Sequence, residues 1–297
     1  MRIASLLPAA TEIVCAIGAA DQLVGISHEC DWPPGLDHLP RLTSSPVDSS
    51  GPGHAIDTAV RALVAAGQPV IAVDAGQLRE LRPDLLLVQD LCEVCAVAEG
   101  GVRRLAEVLD PVPVVLPLRG RTLAGVADDI RTLGAFLGRA EEADEVAAGV
   151  AWRLRRLART RPEAAPRVVC LEWLEPVYLA GHWVPELIEA AGGVDVGARP
   201  GDHSRTWPLD EVAALHPELV IVALCGFDAG RGLAELTRFE SECRARGVSP
   251  PSAWGAPVWV LDGNAYTSRP GPRLAEAAER IQSAILGRET GGLVRFG

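Results

Sequence analysis

Along the chain, apolar positions alternate between two spacings in a fixed order. Runs such as Leu85-Leu86-Leu87-Val88 and Leu219-Val220-Ile221-Val222 are continuous, the pattern of a strand buried on both faces. Each follows a short helical segment closed by a proline, and the two stretches align as one cassette. Leu78-Arg-Glu-Leu-Arg-Pro-Asp-Leu-Leu-Leu-Val88 leads into Gln89-Asp90-Leu91-Cys92. Val212-Ala-Ala-Leu-His-Pro-Glu-Leu-Val-Ile-Val222 leads into Ala223-Leu224-Cys225-Gly226. A second pair agrees: Arg2-Ile-Ala-Ser-Leu6 precedes a helix over Thr11–Gly18, and Arg167-Val-Val-Cys-Leu171 precedes, after an insertion, one over Pro185–Gly192. Both helices carry an early acidic residue and stop at glycine. Strands alternating with helices predict two related α/β lobes, residues 1–120 and 165–290, with parallel sheets and right-handed crossovers.

Residues 121–164 carry no strand signal. Val146, Val150, Leu154 and Leu157 recur at three- and four-residue spacing, which predicts a helix from about 140 to 161. At about 1.5 Å per residue it spans roughly 30 Å, so the connection is a stiff strut. Patterning weakens from Arg288, and 291–297 reads as a loose tail.

Composition narrows the function. The chain has 297 residues, 48% hydrophobic and 23% charged, enough for a sizeable core, and its length favours two lobes. A formal net charge of -11 repels phosphate backbones and anionic lipid, which argues against nucleic acid as a partner. No run of about 18 apolar residues predicts a membrane span. The apolar stretch before Pro8 is too short for a secretory signal, so the expected location is the cytoplasm.

In open parallel sheets, ligands bind beyond the carboxyl ends of the strands. The loops there hold His28, Asp31 and Trp32, then Gln89 and Asp90, in the first lobe. In the second they hold Glu172 and Trp173, His182 and Trp183 after Gly181, Trp207 before Pro208, Phe227, and Tyr266 through Arg269. Aromatic residues are 4% of the chain, yet Trp32, Trp173, Trp183, Trp207 and, less centrally, Trp254 fall in or beside these loops. Aromatics at sheet mouths suit a large flat ligand. Gly181 beside His182 suggests close ligand approach, while Arg205, Arg269 and Arg273 suit carboxylate, amide or phosphate groups.

The order of motifs resembles the helical-backbone (class III) substrate-binding proteins, specifically the cobalamin-binding components of ABC importers. The segments carrying it are Ser5-Leu6-Leu7-Pro8-Ala9-Ala10-Thr11-Glu12, Val24-Gly25-Ile26-Ser27 with Cys30-Asp31-Trp32-Pro33-Pro34, Leu81-Arg82-Pro83-Asp84-Leu85, and Tyr266 through Arg273. It covers about residues 1–287 and implies two Rossmann-like lobes, a rigid connecting helix, and a corrinoid, other tetrapyrrole or iron chelate in the interlobe cleft. The expectation is a cytoplasmic, non-enzymatic corrinoid-binding protein. Without an export signal, a shuttle that delivers cargo to an ABC transporter is not the expected role.

Seven cysteines leave a second reading open. Cys92-Glu93-Val94-Cys95 has the gap at which two thiolates share a metal, and Cys30 and Cys225 are further ligands from other loops. That set fits a metal or iron–sulfur site, a redox disulfide, or buried structural thiols. A thiol enzyme assembled from Cys92, His28, His182 and Glu172 is the third reading. No phosphate loop, nucleophile elbow or zinc-protease histidine pair occurs.

Overall fold

The computed structural model describes residues 1–91 and 99–297. Internal packing divides the chain into two compact units, one of Met1–Gly51, Ala55–Gly120 and Ala124–Ala148, the other of Pro52–His54, Arg121–Leu123 and Gly149–Gly297.

In the first unit the strands are β1 (Ile3–Ser5), β2 (Leu23–Ile26), β3 (Thr43–Ser44), β4 (Ala72–Val73), β5 (Leu85–Gln89) and β6 (Val114–Leu118). The sheet order β2-β1-β5-β6 is parallel throughout, while β3 and β4 form a small antiparallel ribbon. Leu85, Leu86, Leu87 and Val88 are all buried, as the unbroken apolar run of β5 requires. Leu86 and Val88 share one core with Ala4, Leu6, Leu42, Leu78 and Val102. The helix before β5, Ala75–Leu81, begins with Asp74 accepting a hydrogen bond from the Gln77 N–H at 2.9 Å.

In the second unit the strands are β7 (Arg167–Leu174), β8 (Val177–Leu179), β9 (Val194–Asp195), β10 (Arg205–Thr206), β11 (Leu219–Val222), β12 (Val258–Leu261) and β13 (Leu293–Phe296). Their order is β10-β8-β7-β11-β12-β13, with β9 also paired to β7. The parallel pairs are β7 with β11, β11 with β12, and the short β9 with β7. The expectation of a purely parallel sheet is corrected here, because β8, β10 and β13 run antiparallel. A hairpin built by the insertion after β7 makes one edge. The supposed loose tail makes the other: Leu293–Phe296 pairs along all of β12, and Leu293 is buried. Four residues with weak alternation carry little strand signal alone; the open backbone edge of β12 supplies the partner.

Both cassettes recur in space. Helix Leu209–Ala214 precedes β11 as helix Ala75–Leu81 precedes β5. In each, the residue before the proline, Arg82 or His216, takes a left-handed backbone with φ 45° or 48°. Helices Pro8–Ala16 and Val184–Ala191 are followed by Gly18 and Gly192 at φ 74° and 101°, where a side chain would be strained.

The connecting helix runs Ala140–Leu157 and closes in one 3-10 turn over Ala158–Thr160. Glu141 and Glu142 open it and Arg155 and Arg156 end it, each complementing the helix dipole. Within the first unit, Gly134 of helix Leu123–Phe136 lies so close that a Cβ there would stand 2.2 Å from the Ala143 Cβ. Within the second, Arg153 forms a two-point ion pair with Glu279 at 2.7 and 3.0 Å, and the Gln282 amide donates to the Leu157 carbonyl. Among the described residues, no helix is long and apolar enough to cross a membrane.

Candidate ligand-binding site

Each unit presents its own set of loops beyond the carboxyl ends of its parallel strands, and the two are described separately.

In the first unit, the loop after β2 carries His28, Asp31 and Trp32. His28 is exposed, with Nδ1 2.7 Å from the Thr43 hydroxyl, which also receives the His28 backbone N–H and meets the Ser27 hydroxyl. This bond ties the imidazole to β3 of the same unit. Trp32 is 45% exposed, an unusual placement for a tryptophan, and Asp31 beside it is exposed. Gln89 ends β5 half-buried, and exposed Asp90 pairs with Arg119 at 3.0 Å.

Cys30 is buried rather than open to a ligand. Its sulfur lies 3.2 Å from the Thr11 hydroxyl, which itself donates to Ser5. Cys15, one helical turn beyond Thr11, has its thiol pushed up to about 11, first by burial and then by Cys30 and Glu12. The Cys15 thiol therefore stays protonated at neutral pH, and Cys30 packs as a small buried residue.

The second unit has the richer mouth. Trp173 on β7 is half-buried and meets Phe227, in the loop after β11, edge to face at 5.4 Å. Arg231 stacks its guanidinium over the Phe227 ring at 3.5 Å. Its helix, Ala229–Ala245, starts where Asp228 accepts from the Arg231 N–H. Sequence reasoning missed Arg231, although a four-residue spacing from Phe227 into a helix start is the available signal. Trp207 is half-buried just after β10, its N–H bonded to the Val177 carbonyl. Glu172 is half-buried, and its backbone carbonyl accepts from the Cys225 N–H. Cys225 takes a hydrogen bond from the Ser268 hydroxyl at 3.3 Å.

Several expected wall residues are packed instead. Trp183 is 6% exposed and donates its indole N–H to the Thr267 carbonyl at 3.0 Å, joining the turn after β8 to the turn after β12. Tyr266 is buried under Arg280, 3.9 Å above its ring, with Arg273 also over that ring at 5.0 Å. Phe227 is buried behind Trp173 and Arg231. Arg269, also buried, donates to the Asn264 side chain in its own loop. Exposed Arg205 stands 3.9 Å from Asp202. Gly181 does serve a close approach, but of protein: a Cβ there would lie 2.4 Å from the Asp202 carbonyl oxygen.

That approach shapes His182. Its N–H donates to the Asp202 carbonyl at 2.7 Å and its carbonyl accepts from Gly201, which together hold a histidine at φ 54°. Its Nε2 is buried without a hydrogen-bond partner, and the His203 ring stands perpendicular at 5.3 Å. Burial, then His203 and Arg121, hold its pKa below the ordinary histidine value, so the imidazole is neutral at pH 7.

Cys92 and Cys95 lie outside the described residues. Among the described residues, no three His, Cys, Asp or Glu side chains gather as a metal site, and Cys30 and Cys225 each meet a hydroxyl instead.

Asp195, another residue sequence reasoning passed over, accepts from the Gly197 and Ala198 N–H groups while its second oxygen is buried without a partner. Burial, opposed by those two bonds, pushes its carboxyl up to about 6. The fold therefore keeps a proton that an unfolded aspartate releases near 3.8. The resulting stabilisation is full below that value and is lost as pH rises through about 6. Asp195→Asn is expected to raise stability by roughly 1–3 kcal/mol at pH 7 and by clearly less at pH 4. Urea unfolding at both pH values measures this, and an equal gain at each would contradict the account.

Comparison with known proteins accords with this architecture. A vitamin B12-binding protein of Vibrio cholerae is 23% identical over 290 residues, covering 94% of this chain and 87% of the relative. Among solved structures, a periplasmic heme-binding protein from Pseudomonas aeruginosa aligns with a TM-score of 0.71 at 21% identity, covering 100% of this chain and 98% of its own. The periplasmic vitamin B12-binding protein of Vibrio cholerae aligns at 0.63 and 21% identity, covering 96% of each chain. The family model described as periplasmic binding protein matches residues 3–239. On that match, spanning both α/β units, the chain belongs to the periplasmic binding protein family.

Proposed function

We propose that this chain is a non-enzymatic substrate-binding protein for a cobalt corrinoid, with the mouth of the second unit as a principal contact surface. Relatives named for vitamin B12 and for heme support a ligand of the B12, heme or iron-chelate type. The observation that carries the reading is the wall formed by Trp173 against Phe227 with Arg231 over the ring. Half-buried indole offers a flat apolar face to a conjugated macrocycle, and a guanidinium fits the amide and carboxylate groups on its rim. Trp207 supplies further aromatic surface within the same unit. The partner this reading implies is an ABC importer.

Heme is the second reading. A neutral His182 with a buried, unbonded Nε2 is the form of imidazole that ligates iron as readily as cobalt.

Cyanocobalamin and hemin titrations, followed by visible absorbance and tryptophan quenching, separate the two. Saturable cyanocobalamin binding with a Kd below about 1 µM is expected. Trp173→Ala is expected to weaken it about 10- to 100-fold, the loss of one central aromatic contact. Binding of hemin alone would replace the corrinoid reading, and binding of neither would remove this ligand class. An unchanged affinity in Trp173→Ala would take that wall out of the site.

A further inference from the structure

Pro52–His54 lies far from the second unit in sequence but packs as part of it. The segment forms the entry to helix Gly53–Ala65, and its backbone runs beside the Trp173 ring.

The first N–H groups of a helix have no partner inside it. Here the Gly53 N–H donates to Glu235 Oε1 at 2.8 Å, across 182 residues of sequence. Glu235 sits on helix Ala229–Ala245 and is 8% exposed. A carboxylate that deep needs a cation, and Arg238 supplies it. Its Nη2 reaches the same Oε1 at 2.7 Å, and its Nε reaches Oε2 at 3.3 Å. Arg238 also pairs with Glu242 and with Glu175, in the turn that follows Trp173. The segment makes a second contact there, with His54 Nδ1 3.9 Å from the Glu175 carboxylate. Trp173 in turn donates its indole N–H to the Glu175 carbonyl at 3.2 Å. Segment, turn and indole thus meet around one guanidinium.

Glycine at 53 answers to space, since its φ lies outside the left-handed region. A Cβ there would stand 2.7 Å from Glu235 Oε1 and 3.5 Å from Trp173 Cζ2. The carboxylate has little room to yield, because Arg238 holds both of its oxygens.

We infer that Pro52–His54 is a strap that positions the Trp173 ring, and that Glu235 is the positioning residue that pins the strap. The inference rests on the assignment of Trp173 as a ligand wall. An indole braced by Gly53 and Phe227 meets its ligand with the orientation already set, which lowers the ordering cost of binding.

Two measurements on the ligand-free protein read the strap: hydrogen exchange of the residue-53 amide, and the Trp173 indole resonance, assigned by its loss in Trp173→Phe. Cyanocobalamin titration reads the consequence. Glu235→Leu removes the acceptor, so the amide should exchange at least about fivefold faster, the indole resonance should move, and cyanocobalamin should bind at least about fivefold more weakly. Glu235→Gln keeps an oxygen able to accept both the Gly53 N–H and Arg238 Nη2, and should restore all three to within about twofold of the parent. Gly53→Ala, made on the other partner, should move the indole resonance and weaken cyanocobalamin as Glu235→Leu does, and it carries the test if Glu235→Leu does not fold. An unmoved Trp173 resonance in Gly53→Ala and in folded Glu235→Leu overturns the strap. So does parent-like affinity in both variants where the parent binds cyanocobalamin, and so does a Glu235→Gln protein as impaired as Glu235→Leu. If the parent binds neither cyanocobalamin nor hemin, the ligand assignment falls, and the ligand-free measurements still decide whether the strap positions Trp173.

Discussion

Trp183→Ala is expected to destabilise the protein by about 3–5 kcal/mol, the usual range for removing a fully buried large aromatic. The indole is 6% exposed and its N–H satisfies the Thr267 carbonyl at 3.0 Å. Alanine would leave both a cavity and an unpaired buried acceptor where these two turns meet. Trp183→Phe keeps most of the volume and loses the donor, so a smaller loss of about 1–2 kcal/mol is expected. Chemical denaturation of the three proteins measures the order. If Trp183→Ala unfolds like the parent but loses corrinoid, the residue is a ligand wall after all, and the packing role assigned here is wrong.

Gly263→Ala is the second large effect, of about 2–4 kcal/mol, because the clash is with backbone that has no rotamer to change. A Cβ at 263 would stand 2.2 Å from the Leu224 carbonyl oxygen and 2.7 Å from the Ala223 carbonyl carbon. The loops after β11 and β12 are in contact there, and the Asn264 N–H continues the seam by donating to the Phe227 carbonyl at 3.1 Å. Forcing them apart displaces Phe227, and with it the ring on which Trp173 and Arg231 converge. Gly263→Ala should therefore lose ligand affinity as well as stability, whereas Trp173→Ala should lose affinity with little change in unfolding. Equal stability of Gly263→Ala and the parent would mean that the two loops relax at no cost and do not set the mouth.

Legibility in the sequence followed the range of the interaction concerned. The cassette ending at Pro83 and Pro217 marked β5 and β11 correctly because a strand covered on both faces must be apolar at every position, whichever elements cover it. The connecting helix was visible because Val146, Val150, Leu154 and Leu157 repeat within one element, although the buried residues at its start are Ala143 and Ala147 and not Val146. The loops proposed to carry the site follow from the same logic, as whatever follows such strands.

Which residues within those loops face outward was not legible. Trp173 and Trp183 have the same composition and similar context, and one is half-buried at the mouth while the other donates a hydrogen bond 84 residues away in sequence. Gly181 signalled a close approach, but a sequence does not say whether ligand or backbone comes near; here it is the Asp202 backbone. Cys30 and Cys225 looked like exposed ligands until Thr11 and Ser268 were seen beside them.

By itself the amino-acid order determined the alternation of strand and helix, the duplication, and the places where loops meet solvent, since each depends on hydrophobic period and local backbone preference. Tertiary structure alone decided that the second sheet gains antiparallel edges and a terminal strand, that Asp195 holds its proton up to about pH 6, and that Trp259 is buried. Those outcomes turn on partners brought together from distant positions, and burial, hydrogen bonding and pKa are properties of such neighbours, not of the residue that carries them.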